Sequence, residues 1–223
     1  MKTSPLGFII RNEGEDQMLQ SKKVLTYEIV GTIFIIFLGS ALHFTYESSG
    51  MLAIVGAFSA VNESVWEHLK LAFWPSVIWL LIEYLPLKKL TNNFLTAKTL
   101  GTYLMVVIIP IVFYSYTSIT GKSIFAIDIA TFIVAVIVGQ VISHNLFKKN
   151  QFSRIADKVA LVMLVVLGIA FIIFTFYPPH LPIFQDPISR GYGIALQSRK
   201  SKLNYVLFLS GQAHLFFRAI TVT

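Results

Sequence analysis

Long apolar runs alternate along this chain with short polar stretches, and the runs have the length that a lipid bilayer demands. Apolar residues dominate 24–46, 69–87, 100–119, 123–143 and 159–177. A helix needs about 20 such residues to cross the hydrocarbon core. The pattern predicts an all-α, polytopic transmembrane helix bundle of about five spans. Between the first two runs lies 51–60, apolar but too short to cross, which reads as a re-entrant or interfacial segment. A tight Thr120-Gly121-Lys122 turn joins the third and fourth runs. After Tyr177, Pro178, Pro179, Pro182 and Pro187 forbid a continuing helix and predict an extended cap over one end.

Details inside the runs refine this picture. Gly31, Gly39 and Ser40 allow another helix to come close to the first span. Pro75 in the second span and Pro110 in the third are candidate kinks, and Glu83 lies within the second. Residues 1–23 are polar and mixed in sign, so a flexible tail is expected there. Leu6 to Ile10 is too short for a secretory h-region. Beyond Ile194 a basic stretch precedes the apolar run 203–217, either a short sixth span or an interfacial helix. The division is therefore a polar tail over 1–23, a transmembrane domain with a Pro-rich cap over 24–194, and a basic and apolar tail over 195–223.

Composition agrees with the pattern. The chain is 55% hydrophobic and only 13% charged, against about 25% charged in soluble domains. It has no cysteine, which excludes disulfides, thiolate-bound zinc and thiol nucleophiles. A net charge of +7 would suggest nucleic acid in a soluble chain, but here the basic residues gather in alternate loops. Lys22 and Lys23 precede the first span, Lys88, Lys89 and Lys98 follow the second, and Lys148, Lys149, Arg154 and Lys158 precede the fifth. The other two loops hold only Lys70 and Lys122. The positive-inside rule then puts the N-terminus in the cytoplasm. The expected partner is the lipid bilayer, with no nucleic acid.

Candidate chemistry concentrates in Val61-Asn62-Glu63-Ser64-Val65-Trp66-Glu67-His68-Leu69-Lys70. On a helix, Glu63 and Glu67 would share a face, with Lys70 beside them. Asn62 or Ser64 can cap that helix, and Ser64-x-x-Glu67 has capping-box spacing; the formal glycosylation sequon Asn62-Glu63-Ser64 suits a cap better. The expected topology carries other ionisable groups to the same outer end: His43 and Glu47 from the first span, Asp128 one turn inside the fourth, and His180 and Asp186 from the cap. His144 falls at the opposite end and reads as an interface residue. A charge at the centre of a span costs about 2.5–3.5 kcal/mol, so such groups pair or mark a pathway.

Three readings of the outer group follow. It binds or conducts a small cation, proton or polar solute, with Glu63, Glu67 and His68 central and His43, Glu47, Asp128, His180, Asp186, Asn62 and Lys70 contributing. Alternatively it is a metal-dependent hydrolase or transferase site, with a divalent metal on His43, Glu47, Glu63, Glu67 and His180 and a carboxylate as general base. Thirdly, it is a structural membrane subunit whose groups pair with one another, Glu63 or Glu67 with Lys70 and His43 with Glu47. No other cofactor is evident. Gly121-Lys122-Ser123 is no phosphate loop, because position 116 is Tyr where glycine is needed. No Gly-x-Ser-x-Gly elbow is present.

The string from Phe58 to Leu71, with His43 and Tyr46-Glu47 upstream and Pro179-His180-Leu181-Pro182-Ile183-Phe184-Gln185-Asp186-Pro187 downstream, resembles a family of small prokaryotic integral membrane proteins of unknown function. The resemblance covers about residues 24–194 and implies no activity, cofactor or catalytic residue. It implies that the polar motif and the Pro-rich cap form one recurring design, in a bacterial or archaeal cytoplasmic membrane. The tail after Ile194 departs from the family's ending and reads as an extension.

Overall fold

The computed structural model describes residues 5–194, with side chains from residue 14 onward. The 203–217 run lies outside the described residues. Among the described residues six helices follow in order: α1 (Pro5–Ser48), α2 (Ala53–Gly56), α3 (Val65–Leu87), α4 (Phe94–Thr120), α5 (Phe125–Phe147) and α6 (Arg154–Phe176), then a 3-10 turn over Pro182–Phe184. Five of them, all but α2, are long and apolar enough to cross a membrane. Leu85, Ile111, Ile119, Phe125 and Val162 are among many large apolar side chains left exposed, as lipid-facing positions must be. Among the described residues there is no strand, only an isolated bridge between Gln185 and Tyr192. The protein is therefore all-α and multi-pass.

Two boundaries differ from expectation. The helix of α1 begins at Pro5 and runs through most of the stretch expected to be a flexible tail. Proline suits the first turn of a helix, and no later proline interrupts it. At the other boundary, α4 starts at Phe94 rather than near residue 100, so Lys98 belongs to a helix and not to a basic loop. The first turns of α4 carry Thr96, Lys98, Thr99 and Thr102, all buried, and a hydropathy pattern reads such a polar but partnered face as loop. The 51–60 segment contains α2, four residues long, and crosses nothing. Pro75 and Pro110 lie inside α3 and α4 without ending them.

The described chain packs as two units. The first holds α1 up to Ala41, α3 from Leu71, α4, α5 and α6 up to Gly168. Within it α4 and α5 cross where glycine faces glycine: a Cβ on Gly139 would meet the Gly101 carbonyl oxygen at 2.7 Å. Gly39 of α1 lies against the Leu71 carbonyl, the group that Pro75 deprives of its helical N–H donor. Tyr103 donates to the Met163 carbonyl at 2.8 Å and so ties α4 to α6. The loops after α3 and α5 are joined by Asn92, which donates to the Lys149 carbonyl (3.1 Å), and by Asn93, which donates to the Asn150 carbonyl (3.0 Å). The lysines of these two loops therefore gather at one end of the unit.

The second unit holds α1 from Leu42, α2, α3 through Lys70, α6 from Ile169 and the Pro-rich segment. Its apolar centre is aromatic. The Trp66 ring lies 4.7 Å from Phe171 and 4.8 Å from Phe184, centroid to centroid, so the first turn of α3 grips the end of α6 and the 3-10 turn. The chain leaves α6 after Phe176 and is fixed by Asn62, whose amide reaches the Gly193 carbonyl at 3.5 Å.

Candidate functional site

The site is built on the start of α3 in the second unit. Ser64 caps this helix: its hydroxyl accepts from the Glu67 N–H at 3.4 Å, and its own N–H donates to Asn62 Oδ1 at 2.9 Å. The reciprocal half of a capping box is absent, because the Glu67 carboxylate accepts from the Val61 N–H instead, at 3.1 Å. With Ser64 as the cap, Glu63 precedes the helix, so the expected shared face of Glu63 and Glu67 does not form. The two carboxylates end in different environments.

Glu67 turns inward. Lys70 places its ammonium 2.5 Å from Glu67 Oε2 and donates to the Gly56 carbonyl and the Thr175 hydroxyl, each at 2.8 Å. These three partners use every donor of the ammonium. The pair is buried, and it ties α2, α3 and α6 together under the loop that carries Glu63.

Glu63 stays near the surface and faces two imidazoles. Its Oε2 is 3.4 Å from His68 Nε2 and 3.9 Å from His43 Nε2. One ligand atom from each of the three residues can be chosen so that all lie within 4.8 Å of one another. His68 Nδ1 lies 2.9 Å from the Ser64 carbonyl. A carbonyl only accepts, so Nδ1 carries a proton and Nε2 is the nitrogen directed at Glu63. His43, from the last turns of α1, meets His68 edge to face with ring centroids 5.0 Å apart. The Glu63 carboxyl is held below its ordinary range, first by the hydrogen bond from His68, against the opposing effect of partial burial, with the charges of His68 and His43 adding to the lowering.

The remaining expected residues are placed elsewhere. Glu47 is exposed and outside the His43–Glu63–His68 group. His180 sets its ring edge-on to Tyr192 at 4.6 Å. Asp186 closes a turn, accepting from the Ile188 N–H at 3.0 Å and from the Ser189 hydroxyl. Asp128 belongs to the first unit, where it accepts from the Tyr116 hydroxyl, which itself accepts from the Ile124 N–H at 3.1 Å. Of the five metal ligands expected, two, His43 and Glu63, are brought together, and His68 joins them.

A family model described as a family of unknown function, DUF6512, matches residues 16–194. The chain belongs to this family. No curated protein and no solved structure matches it. The DUF6512 range contains His43, Glu63, His68, the Glu67–Lys70 pair and the Pro-rich segment.

The same range holds residues that sequence reasoning left out. Lys98 reads as a loop cation, Glu28 lies unremarked inside the first apolar run, and Gln140 lies inside the fourth. All three are buried in the first unit, as is Glu83. The available signal was the pair of acids, Glu28 and Glu83, each inside a span and each in need of a partner.

Proposed function

We propose that this multi-pass membrane protein binds a divalent transition-metal ion through His43, Glu63 and His68. The observation that carries the reading is the convergence of two imidazole nitrogens and one carboxylate oxygen within 4.8 Å of one another, with one imidazole already oriented by a backbone carbonyl. Mixed imidazole and carboxylate ligands suit zinc and its neighbours rather than magnesium or calcium. Ligating histidines commonly donate their second nitrogen to a carbonyl, as His68 does, which fixes the ring and raises its basicity. Three protein ligands leave a coordination position open to water or to an incoming group.

Binding or transfer of the ion is favoured over hydrolysis. The carboxylate nearest in sequence that could serve as general base is Glu67, and it is committed to Lys70 at 2.5 Å and to the Val61 N–H. On the positive-inside reading, the lysine-bearing loops after α3 and α5 are cytoplasmic, and the loop between α1 and α3, which carries Glu63, is extracytoplasmic.

Calorimetric titration of the purified protein with zinc tests this. One ion per chain is expected, with affinity at least tenfold weaker in His68→Ala and in Glu63→Gln. No saturable binding, or binding unchanged in both variants, would overturn the assignment.

A further inference from the structure

The first unit contains a second polar cluster, inside the spans and sharing no residue with the metal group. The Lys98 ammonium of α4 is 2.6 Å from Glu28 Oε1 of α1 and 2.6 Å from Glu83 Oε1 of α3. It also reaches Gln140 Oε1 of α5 at 3.3 Å. Four helices thus contribute to one point. Glu28, Lys98 and Gln140 are each 4% exposed and Glu83 is fully buried.

The charges do not balance. Two carboxylates share one ammonium, which leaves one formal negative charge in apolar surroundings, where an uncompensated ion is strongly disfavoured. Neighbouring elements do not supply the missing positive charge. Among the described residues, Lys98 is the only cation in ion-pair contact with Glu28 or Glu83. Asp157 of α6 is committed to the backbone N–H and hydroxyl of Thr96. The nearby tyrosines are turned to other rings, Tyr27 to Trp79 and Tyr84 to Phe94. His144 of α5, one turn beyond Gln140, has Nδ1 buried without a hydrogen-bond partner among the described residues. Glu28 Oε2 is likewise buried with no hydrogen-bond partner among the described residues, and the Trp79 indole N–H, which carries no charge, is directed at the Glu83 carboxylate. Glu28 Oε2 is therefore an acceptor atom with vacant capacity directly beside an excess negative charge.

We propose that Glu28 and Glu83 form a proton-binding site, holding one proton between them at neutral pH while Lys98 balances the second carboxylate. The proton sits on a carboxylate oxygen that Lys98 does not engage, and the cluster as a whole is then neutral. Access runs from the lysine-rich end. A recess of about 230 Å³ there is lined by Gln20, Ser21, His144, Phe147 and Lys148 among others. The Phe147 ring, which lines the recess, has its centroid 5.5 Å from the Lys98 ammonium, so this ring borders both the recess and the cluster. His144, on the wall of the recess, is placed to carry the proton between water and the carboxylates. Gly31, one turn after Glu28, keeps the centre open: a Cβ there would meet Gln140 Nε2 at 2.8 Å and collide with the Trp79 indole.

Infrared spectroscopy of the protein in lipid at neutral pH, in sodium- and potassium-free buffer and again with each salt added, tests the site. The expected result is a carbonyl stretch of a protonated carboxylic acid, equivalent to one group per chain, shifted in D2O and unaffected by salt. It should vanish in both Glu28→Gln and Glu83→Gln, because either substitution leaves one carboxylate paired with Lys98. Each variant keeps the cluster neutral, with a neutral amide in place of the protonated acid, so its thermal midpoint should stay close to that of the parent. Absence of the band in the parent protein overturns the proposal whatever the variants do. So does a band that survives in either variant. A band present only without sodium and potassium would replace the proton by a monovalent metal ion.

Discussion

The Lys70 ammonium lies 2.5 Å from the Glu67 carboxylate, and their side chains are 0% and 2% exposed. Three residues apart on α3, they form the anchor on which the surrounding loop is hung, because the same two side chains also hold the Val61 N–H, the Gly56 carbonyl and Thr175. A buried pair of this kind contributes little over a well-packed apolar pair, yet removing one partner strands the other. Glu67→Gln and Lys70→Met should each lower stability by about 3–5 kcal/mol. The double variant should recover part of that loss, so a double-mutant cycle on thermal unfolding midpoints should give a clear coupling between the two positions. Additive losses would mean that the pair does not act as a unit.

Metal affinity at His43, Glu63 and His68 should fall on acidification, since an imidazole ligates only when its donor nitrogen is unprotonated. Each proton displaced on binding costs up to about tenfold in affinity per pH unit. Between about pH 7.5 and about pH 5.5 a zinc titration should therefore weaken at least tenfold. Affinity that is flat over this interval would count against the imidazole ligands.

Gly31→Ala should reach beyond its own helix. The new methyl group has to displace the Trp79 indole and the Gln140 amide, and overpacking of this sort costs about 1–3 kcal/mol. Thermal unfolding and tryptophan fluorescence should both change, with a shifted emission maximum as the indole moves. An unaltered spectrum would show that the indole is not held where Gly31 leaves room for it.

Sidedness can be read directly, because the chain has no cysteine of its own. Ile188 in the Pro-rich segment and Lys149 after α5 are both exposed. In intact cells a membrane-impermeant maleimide should label Ile188→Cys, and should label Lys149→Cys only after permeabilisation. The reverse pattern would put the metal group on the cytoplasmic side.

Much of this fold is legible in the sequence because the length of an apolar run is a local property. Five runs near the thickness of a bilayer specify five spanning helices with no knowledge of what they touch. The prolines after Tyr177 end α6 by removing N–H donors, and that too needs no tertiary information. The resemblance carried by the motif around Glu63 and Glu67 agrees with the family match over residues 16–194. A polar residue within or beside a helix is a different case, since its role depends on partners from other helices. Lys98 reads as one more loop lysine until α1 and α3 bring Glu28 and Glu83 to within 2.6 Å of it.

The same limit applied at the centre of the motif. Spacing alone made Glu63 and Glu67 equivalent, four residues apart on one face. Where the helix starts depends on Ser64 accepting from the Glu67 N–H, and that cap leaves Glu63 outside the helix and beside His43 and His68. The sequence by itself determined that a carboxylate- and imidazole-rich motif stands at the mouth of a span. Only the tertiary structure decided that Glu67 is consumed by Lys70 while Glu63 remains available, because burial and pairing arise from elements that meet only when the chain has folded.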